Sequence, residues 1–497
     1  MSRATKAGIA LAGSALALGV LGDVLFQGQW LGLNVLVWTT AFVLALIALL
    51  RFARGPLHQG RRFMIAPLLL FSAMFAWHDS PLLTVANILA IAVAFTMGAL
   101  RRTQPRLGSA TLSDFGGGAV AAGCSMLGGG VPLLMTDIGW KELRRPDTAK
   151  AVALARGLAL GLPLLVLFGG LFVAADAVFK NLLSSAIPTL STAVVTRLVL
   201  VLAVAWLAGG LLRDILAPRE DLRVVPAQTL EALKWSPRLG AFELNVVLTI
   251  LNLLFLAFVI VQFRYLFGGR DLVQQTANLT YAEYARHGFF ELVAVAALTL
   301  PLLLLGDWLL RDEVRGRRAF RWLAGTLLAL LGVVILSALQ RMRLYLDQYG
   351  LTELRLYATG GIVWLAVVCA WFSVTVLRGK RHAFAVGALV AGFIATLTLN
   401  VINPDALIAR TNVTRPSVDV RYLGGLSDDA VPTLVASLSD LPPAQRPQLA
   451  SRLLSRYSAG DWRSWNLSRS RAESAIRAHR MELRRWAALD SANSPAP

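Results

Sequence analysis

The stretch 30–50, WLGLNVLVWTTAFVLALIALL, contains no charged residue and is followed directly by Arg51, with Arg54, Arg61 and Arg62 soon after. About 20 apolar residues are enough for a helix to cross the hydrocarbon core of a bilayer. The whole chain of 497 residues is 56% hydrophobic and only 15% charged, whereas soluble proteins are about one quarter charged. These features predict an integral membrane protein built from α-helices.

Similar apolar runs recur along the first 402 residues, and the last 95 are polar. We predict an all-α fold, a polytopic transmembrane helix bundle over 1–402 with about 11 spans. The predicted spans are 7–26, 30–50, 62–77, 82–100, 157–175, 197–216, 243–263, 289–310, 322–340, 360–377 and 383–402. The third is short, as expected of a tilted or partly inserted segment. No small-residue cleavage site follows the first span, so we expect that helix to be retained.

Lysine and arginine are concentrated in every second loop. The basic loops are 51–62, 101–156, 213–238, 311–321 and 378–381, whereas loops 22–29 and 77–81 contain neither residue. Basic loops stay in the cytoplasm, so we predict a cytoplasmic amino terminus and an extracytoplasmic carboxyl terminus. The formal net charge of +19 is explained by these loops, which makes the lipid bilayer the expected partner and excludes nucleic acid.

Two segments interrupt this pattern. The cytoplasmic linker 101–156 contains two glycine triplets, at 116–118 and 128–130. Neither triplet continues into the Gly-Lys-Ser/Thr of a nucleotide loop, which favours a flexible or re-entrant small-residue hairpin over a phosphate site. Segment 403–490 is polar and has helical apolar spacing at 427–441 and 445–457. We predict a small extracytoplasmic helical tail, suited to binding an envelope protein partner, followed by a disordered end at 491–497.

The first external segment, 264–288, contains a capping-box pair at Thr280 and Glu283 that predicts a helix start. A helix from Thr280 to residue 310 would be about 46 Å long, so its first turns should project beyond the bilayer core. Glu283, His287 and Glu291 are spaced by four residues and share one face. Glu291 enters the apolar run, where an unpaired carboxylate is costly, so we expect it to have a partner or to carry a proton.

The second external segment, 341–359, joins two spans on the same side. Arg341, Tyr345 and Tyr349 form a helical stripe, Gly350 is a plausible helix stop, and Arg355 enters the next span. We expect an arginine of this segment to pair with Glu283 or Glu291. The candidate ligand-binding residues are Arg264, Tyr281, Glu283, Tyr284, Arg286, His287, Glu291, Arg341, Arg343, Tyr345, Tyr349, Glu353, Arg355 and Tyr357.

Two interpretations of these segments remain open. One is an interfacial aromatic belt with ion pairs that hold helices together. The other is an outward-facing Arg/Tyr/Glu pocket for a phosphate, a carboxylate or a lipid headgroup. Another external turn, Trp77-His78-Asp79-Ser80-Pro81, is interpreted as a capped entry into a helix that begins at Pro81.

The same segments carry a family resemblance. The motifs are Phe263-Arg264-Tyr265-Leu266-Phe267-Gly268-Gly269, residues 281–292, residues 341–357, residues 206–213 and Asn403-Pro404-Asp405. They resemble the bacterial membrane family called domain of unknown function 4173 and, more loosely, its relative 4153. The resemblance covers roughly residues 157–441. It implies a multi-pass protein of the bacterial inner membrane and brings no established activity.

Three functions are compatible with these features. A transporter or other non-enzymatic protein that binds an anionic or amphiphilic envelope ligand is slightly favoured. The alternatives are an integral-membrane enzyme of envelope lipid or glycan metabolism, with Glu283, His287 or Glu291 as acid or base, and a sensor or scaffold subunit of an envelope complex. The five histidines are dispersed and the two cysteines lie in or near apolar segments, so we expect no metal site, no cofactor and no disulfide.

Overall fold

The computed structural model describes most of the chain in nine stretches. These are residues 1–52, 59–99, 112–143, 192–216, 241–267, 289–309, 314–415, 418–456 and 460–493, with single helical positions at 150, 154, 157 and 161. Within these stretches the regular structure is helical throughout, without β-strands. This agrees with the predicted fold class, and the physical reason is that a helix satisfies all its backbone hydrogen bonds within one segment, as lipid requires.

Eight of the described helices are long and apolar enough to cross a membrane. They span Thr5–Phe26, Leu33–Phe52, Pro81–Gly98, Thr196–Leu216, Phe242–Val261, Gly316–Tyr349, Glu353–Thr375 and Ala383–Ile402. A ninth is obtained if the bent pair Phe115–Gly128 and Gly130–Asp137, which meet at 52°, is one broken span. The protein is therefore a multi-pass membrane protein, and the expected count of about 11 spans is not confirmed.

Three predicted spans account for the difference in count. The predicted span 62–77 corresponds to helix Gln59–Phe75, whose apolar part Phe63–Phe75 is shorter than a bilayer crossing. The predicted span 289–310 forms helix Phe289–Leu309, which contains Pro301 and is not among the eight. The predicted span 157–175 lies almost entirely outside the described residues.

The bent pair occupies the segment that the sequence assigned to a cytoplasmic linker. Helix Leu112–Gly128 is followed by a short helix Gly130–Pro132 and a π-helix Leu133–Asp137. The re-entrant form of the predicted small-residue hairpin is compatible with this bend. Glycine permits the geometry, because a Cβ on Gly129 would lie 2.4 Å from the Ser125 carbonyl oxygen.

The chain divides into two compact units. The first comprises Met1–His78, Thr84–Leu233 and Ala459–Leu467. In it, helix Arg3–Phe26 packs closely against helix Thr192–Leu216, and a Cβ added to Gly19 would lie 2.3 Å from the Val201 carbonyl oxygen. Small residues at such crossings let membrane helices approach each other. Arg213 of the second helix, 4% exposed, pairs with Asp137 at 2.6 Å.

The second unit comprises Asp79–Leu83, Lys234–Ser458 and Ser468–Pro497. Its long helices are Ala241–Phe267, Phe289–Leu309, Val314–Tyr349, Glu353–Thr375 and Arg381–Ile402. They share one apolar core, in which Leu248, Leu303, Leu331 and Phe372 are fully buried.

The tail (residues 403–493) belongs to this second unit except for Ala459–Leu467, which group with the first. Its described helices are Pro404–Val413, Val420–Leu423, Val431–Ala436, Arg446–Ser455, Leu467–Ala478 and Arg480–Asn493, with 3-10 turns at Leu438–Asp440 and Trp462–Ser464. In the second unit the tail has its own apolar core, which includes Ile408, Val431 and Leu449, and Leu351 belongs to this core as well. The last helix includes residues 491–493 of the end that we expected to be disordered, and residues 494–497 lie outside the described part.

Candidate functional site

Most of the first external segment, 264–288, lies outside the residues that the structure describes. Tyr281, Glu283, Tyr284, Arg286 and His287 lie outside the described residues, and so does the side chain of Arg264. Glu291 is described, and its side chain is exposed in the first turn of helix Phe289–Leu309. Within the described part of the chain it makes no ion pair with Arg341, Arg343 or Arg355. The expected partner of Glu291 therefore stays a prediction.

The second external segment forms the end of a 36-residue helix, Val314–Tyr349, which we call the long helix. The helix stops at Gly350, as predicted, because Gly350 adopts a φ of +78°. Left-handed backbone is favourable for glycine and disfavoured for other residues. Of the two arginines in its last turns, Arg341 is buried at 9% exposure and Arg343 is exposed.

Arg355 closes the turn that follows the long helix. Its Nη1 donates to the Gly350 carbonyl at 2.6 Å and to the Tyr349 carbonyl at 3.2 Å. Its guanidinium lies 4.1 Å from the ring centroid of Tyr345 and 5.8 Å from that of Tyr349. Cation–π and carbonyl contacts of this kind fix the local geometry, so the Nη1 group of Arg355 is engaged within the chain.

A polar cleft of about 540 Å³ lies beside the end of the long helix. It is lined by Gln348, Tyr349, Arg415, Val418, Asp419, Val420, Arg421, Gln445 and Gln448. Of the predicted site residues, only Tyr349 lines it. The tail supplies most of the polar groups, and the sequence analysis did not single them out.

The two arginines of the cleft have different environments. Arg415 is half-buried and donates to the carbonyl oxygens of Leu346 at 3.1 Å and Asp347, so it caps the long helix. Arg421 is exposed and, among the described residues, makes no hydrogen bond or ion pair. On the same cleft, the buried Gln445 Oε1 has no hydrogen-bond partner in the described part. The cleft therefore offers a free cation and a free acceptor to a ligand.

A second polar assembly, which we call the carboxylate cluster, consists of Asp79, Asp405, Asp428 and Asp429. It is assembled from the turn before helix Pro81–Ala99, the start of helix Pro404–Val413 and the loop before helix Val431–Ala436. All four residues belong to the second unit. Asp405 is fully buried and Asp429 is 5% exposed.

Asp429 is buried, but several hydrogen-bond donors surround its carboxylate. Its Oδ2 accepts hydrogen bonds from the backbone N–H groups of Asp79 at 2.8 Å and Ser80 at 3.1 Å. Its Oδ1 accepts from Asn403 Nδ2 at 3.3 Å and from Ser468 Oγ. Since backbone N–H groups at a helix start lack partners within the helix, Asp429 acts as a cap for the helix that begins at Pro81.

Asp79 and Asp428 each pair with an arginine. Arg469 Nε donates to Asp79 Oδ1 at 2.7 Å, and Arg456 Nη1 lies 3.5 Å from Asp428 Oδ1. Burial nevertheless raises the pKa of both carboxyls above the ordinary value, and the arginines oppose this shift only in part.

Asp405 has no arginine partner in the described part of the chain. Its Oδ2 accepts from the Ser427 N–H at 3.2 Å and from Ser427 Oγ. Burial raises the pKa of Asp405, and the hydrogen bonds of Ser427 work against the shift. The Glu353 carboxyl faces Asp405. Of the predicted site residues, Glu353 and Tyr357 thus lie beside this cluster, whereas Tyr345 and Arg355 lie at the end of the long helix.

The sequence analysis noted two members of this cluster but did not predict that they lie close together. Asp79 and Asp405 were each noted, in an external turn and in a family motif. The Asp79–Asp429 contact, however, joins residues 350 positions apart, and no local pattern predicts such a pairing. Among the described residues, no group of three His, Cys, Asp or Glu side chains is arranged to hold a metal ion.

The fold and these sites define a multi-pass α-helical membrane protein with a polar region at the helix ends near its tail. The chain belongs to the family described as Domain of unknown function (DUF4153), whose model matches residues 65–437. This is the looser of the two resemblances given by the sequence motifs, and membership of the related family 4173 is not established by it. No curated protein and no solved structure matches the chain.

Proposed function

We propose that the protein binds, as a receptor or a transporter, the anionic headgroup of an envelope amphiphile in the polar cleft. The observation that carries this proposal is the pairing of an uncommitted arginine, Arg421, with amide and phenol groups around a cleft of about 540 Å³. Guanidinium groups bind phosphate and carboxylate strongly. Amide side chains such as Gln445 and Gln448 add both donors and acceptors for headgroup hydroxyls.

The height of the cleft along the long helix favours a ligand that projects beyond the ordinary headgroup layer of the membrane. The apolar part predicted from the sequence ends near Gln340, and Tyr349 follows about 13 Å further along the helix axis. The polar headgroup layer is about 5–8 Å deep on each side. A bulky headgroup that extends from the bilayer would reach the cleft, while its acyl chains stay in the lipid.

The basic-loop pattern supports an orientation in which the cleft faces the extracytoplasmic side of a bacterial inner membrane. In this orientation the ligand is a component of the envelope. The predicted residues of segment 264–288, with Arg343 and Glu291, would then provide additional contacts from the same side. Specific membership of family 4173 is part of this proposal and rests on the motifs of the two external segments.

Binding of a short-chain lipid tests the proposal. The full-length protein in detergent is titrated with dihexanoylphosphatidylglycerol and with dihexanoylphosphatidylcholine, and Kd is measured by microscale thermophoresis. We expect tighter binding of the anionic lipid. Arg421→Ala should weaken that binding about 10-fold, because a charge-assisted hydrogen bond contributes about 1.5–3 kcal/mol when buried and less at an open cleft.

Arg410→Ala is the matched control, because Arg410 is also an exposed arginine of the tail but does not line the cleft. It should leave Kd unchanged. Equal affinities for the two lipids in the natural protein, or equal losses in the two variants, would contradict an anion site in the cleft.

A further inference from the structure

Among the described residues, three buried oxygen atoms of the second unit make no well-formed hydrogen bond. They are Asp405 Oδ1, Ser80 Oγ and the Tyr357 hydroxyl. The Ser80 hydroxyl is a close neighbour of both the Asp405 carboxyl and the Tyr357 hydroxyl. Ser80 is 1% exposed and Asp405 is fully buried. Buried polar atoms nearly always have a partner, so this arrangement calls for an additional group between the three oxygens.

The charges around these oxygens indicate the sign of that group. Asp79 and Asp428 are partly compensated by Arg469 and Arg456. Asp405 forms no ion pair in the described part of the chain, and the carboxyl of Glu353 faces it. A carboxylate removed from water without a positive partner is strongly disfavoured. A proton on Asp405 or a positive ligand would remove this penalty, but only the ligand would also bind the Ser80 and Tyr357 oxygens. A neutral water molecule would satisfy the hydrogen bonds but leave the charge.

The ligand set indicates which positive ion is suitable. All three atoms are hard oxygen ligands, which suit hard cations. The described residues contain no group of three carboxylate, imidazole or thiolate side chains arranged for a metal ion, so a divalent ion would be poorly compensated. We propose that Asp405, Ser80 and Tyr357 form a binding site for a small monovalent cation of the Na⁺ type.

The position of the site suggests what the ion does. The three ligands come from the turn before helix Pro81–Ala99, from the first turns of helix Glu353–Thr375 and from the start of helix Pro404–Val413. The bound ion would therefore tie the turn at Ser80 and the start of helix Glu353–Thr375 to the first helix of the tail. This proposal does not rest on an anionic ligand in the polar cleft.

Thermal unfolding of the full-length protein in detergent at pH 7.5 tests the site. Melting temperatures are compared between NaCl and choline chloride at the same ionic strength. We expect a saturable rise of about 2–4 °C with Na⁺, since an ion that binds only the folded state stabilises it. Asp405→Asn should abolish the rise. Ser80→Ala and Tyr357→Phe each remove one neutral ligand. In these variants, the rise in melting temperature should reach half of its full size at an about 10-fold higher Na⁺ concentration.

Asp440→Asn is the control, because Asp440 is an exposed carboxylate of the tail away from these oxygens, and it should keep the full response. If Asp405→Asn does not fold, the responses of Ser80→Ala and Tyr357→Phe to Na⁺ test the site, because neither variant removes the Asp405–Ser427 hydrogen bonds. The proposal is overturned if the natural protein melts at the same temperature in both salts. It is equally overturned if both hydroxyl variants respond to Na⁺ like the natural protein.

Discussion

Asp429 and Asp428 are neighbours in sequence but have opposite environments. Asp429 accepts hydrogen bonds from Asp79, Ser80, Asn403 and Ser468, which compensate for its burial. Asp428 has a longer contact, 3.5 Å from Arg456. Its carboxyl lies near that of Asp79, and this second negative charge adds to the effect of burial. Asp428 is therefore a carboxylate that the fold tolerates rather than one that stabilises it.

This difference predicts a pH effect at Asp428. Burial raises its pKa above the ordinary value of 3.8. An acid whose pKa is raised by folding stabilises the protein fully below its unfolded-state pKa, and that contribution is lost as the pH rises through the folded-state pKa. The melting temperature of the natural protein should therefore fall as the pH rises above about 4. Asp428→Asn should flatten this fall, as measured by differential scanning fluorimetry.

Asp461 provides a control with the opposite sign. Hydrogen bonds from Arg463 hold the pKa of Asp461 below its ordinary value, so its stabilising contribution is present above the unfolded-state pKa and is lost as the pH falls. Asp461→Asn should lower the melting temperature near neutral pH and have no effect in acid. If Asp428→Asn also loses stability only near neutral pH, the assignment of Asp428 as a penalised carboxylate is wrong.

At the level of the helices, the end of the long helix depends on Gly350. Its φ is +78°, and a Cβ there would lie 2.7 Å from Asn412 Oδ1. Asn412 cannot move freely, because its side chain bonds both the N–H of Leu351 at 2.9 Å and its carbonyl at 2.7 Å. The stop therefore joins the long helix to helix Pro404–Val413 of the tail.

Gly350→Ala tests this junction against a matched glycine. Gly28 has a similar φ of +64°, but a Cβ there would meet no atom within 4 Å. Left-handed backbone costs a non-glycine residue about 1–2 kcal/mol, so both alanine variants should lose about that much. Gly350→Ala should lose more, because it also displaces Asn412. Denaturant titration in mixed micelles gives the free energies of unfolding that check this order. Equal losses in the two variants would show that the Asn412 side chain moves aside at little cost.

For the molecule as a whole, orientation is the property on which the proposed function depends most. Single cysteines at Gln348, Gln448 and Lys380, all exposed, can be placed in a background without Cys124 and Cys369. The basic-loop rule predicts that a membrane-impermeant thiol reagent labels the first two positions in intact cells, and Lys380→Cys only after lysis. The reverse pattern would put the cleft in the cytoplasm and exclude an envelope headgroup as its ligand.

Part of the candidate site could be predicted from the sequence. Tyr349, Gly350 and Arg355 were identified because they lie within a few residues of one another at a helix end, and their contacts are local. The polar groups of the cleft were missed, because Arg421, Gln445 and Gln448 lie in the tail, where single polar residues carry no distinguishing pattern. Their proximity to Tyr349 depends on how the tail folds.

The sequence by itself determined the class of protein, the start of a helix at Pro81 and the stop at Gly350. These properties depend on the length of apolar runs and on backbone preferences, which act over a few neighbouring residues. Only the tertiary structure decided which carboxylates are buried together. Desolvation and compensation depend on what surrounds a group in space, and Asp79, Asp405 and Asp429 meet although Asp79 and Asp429 are 350 residues apart.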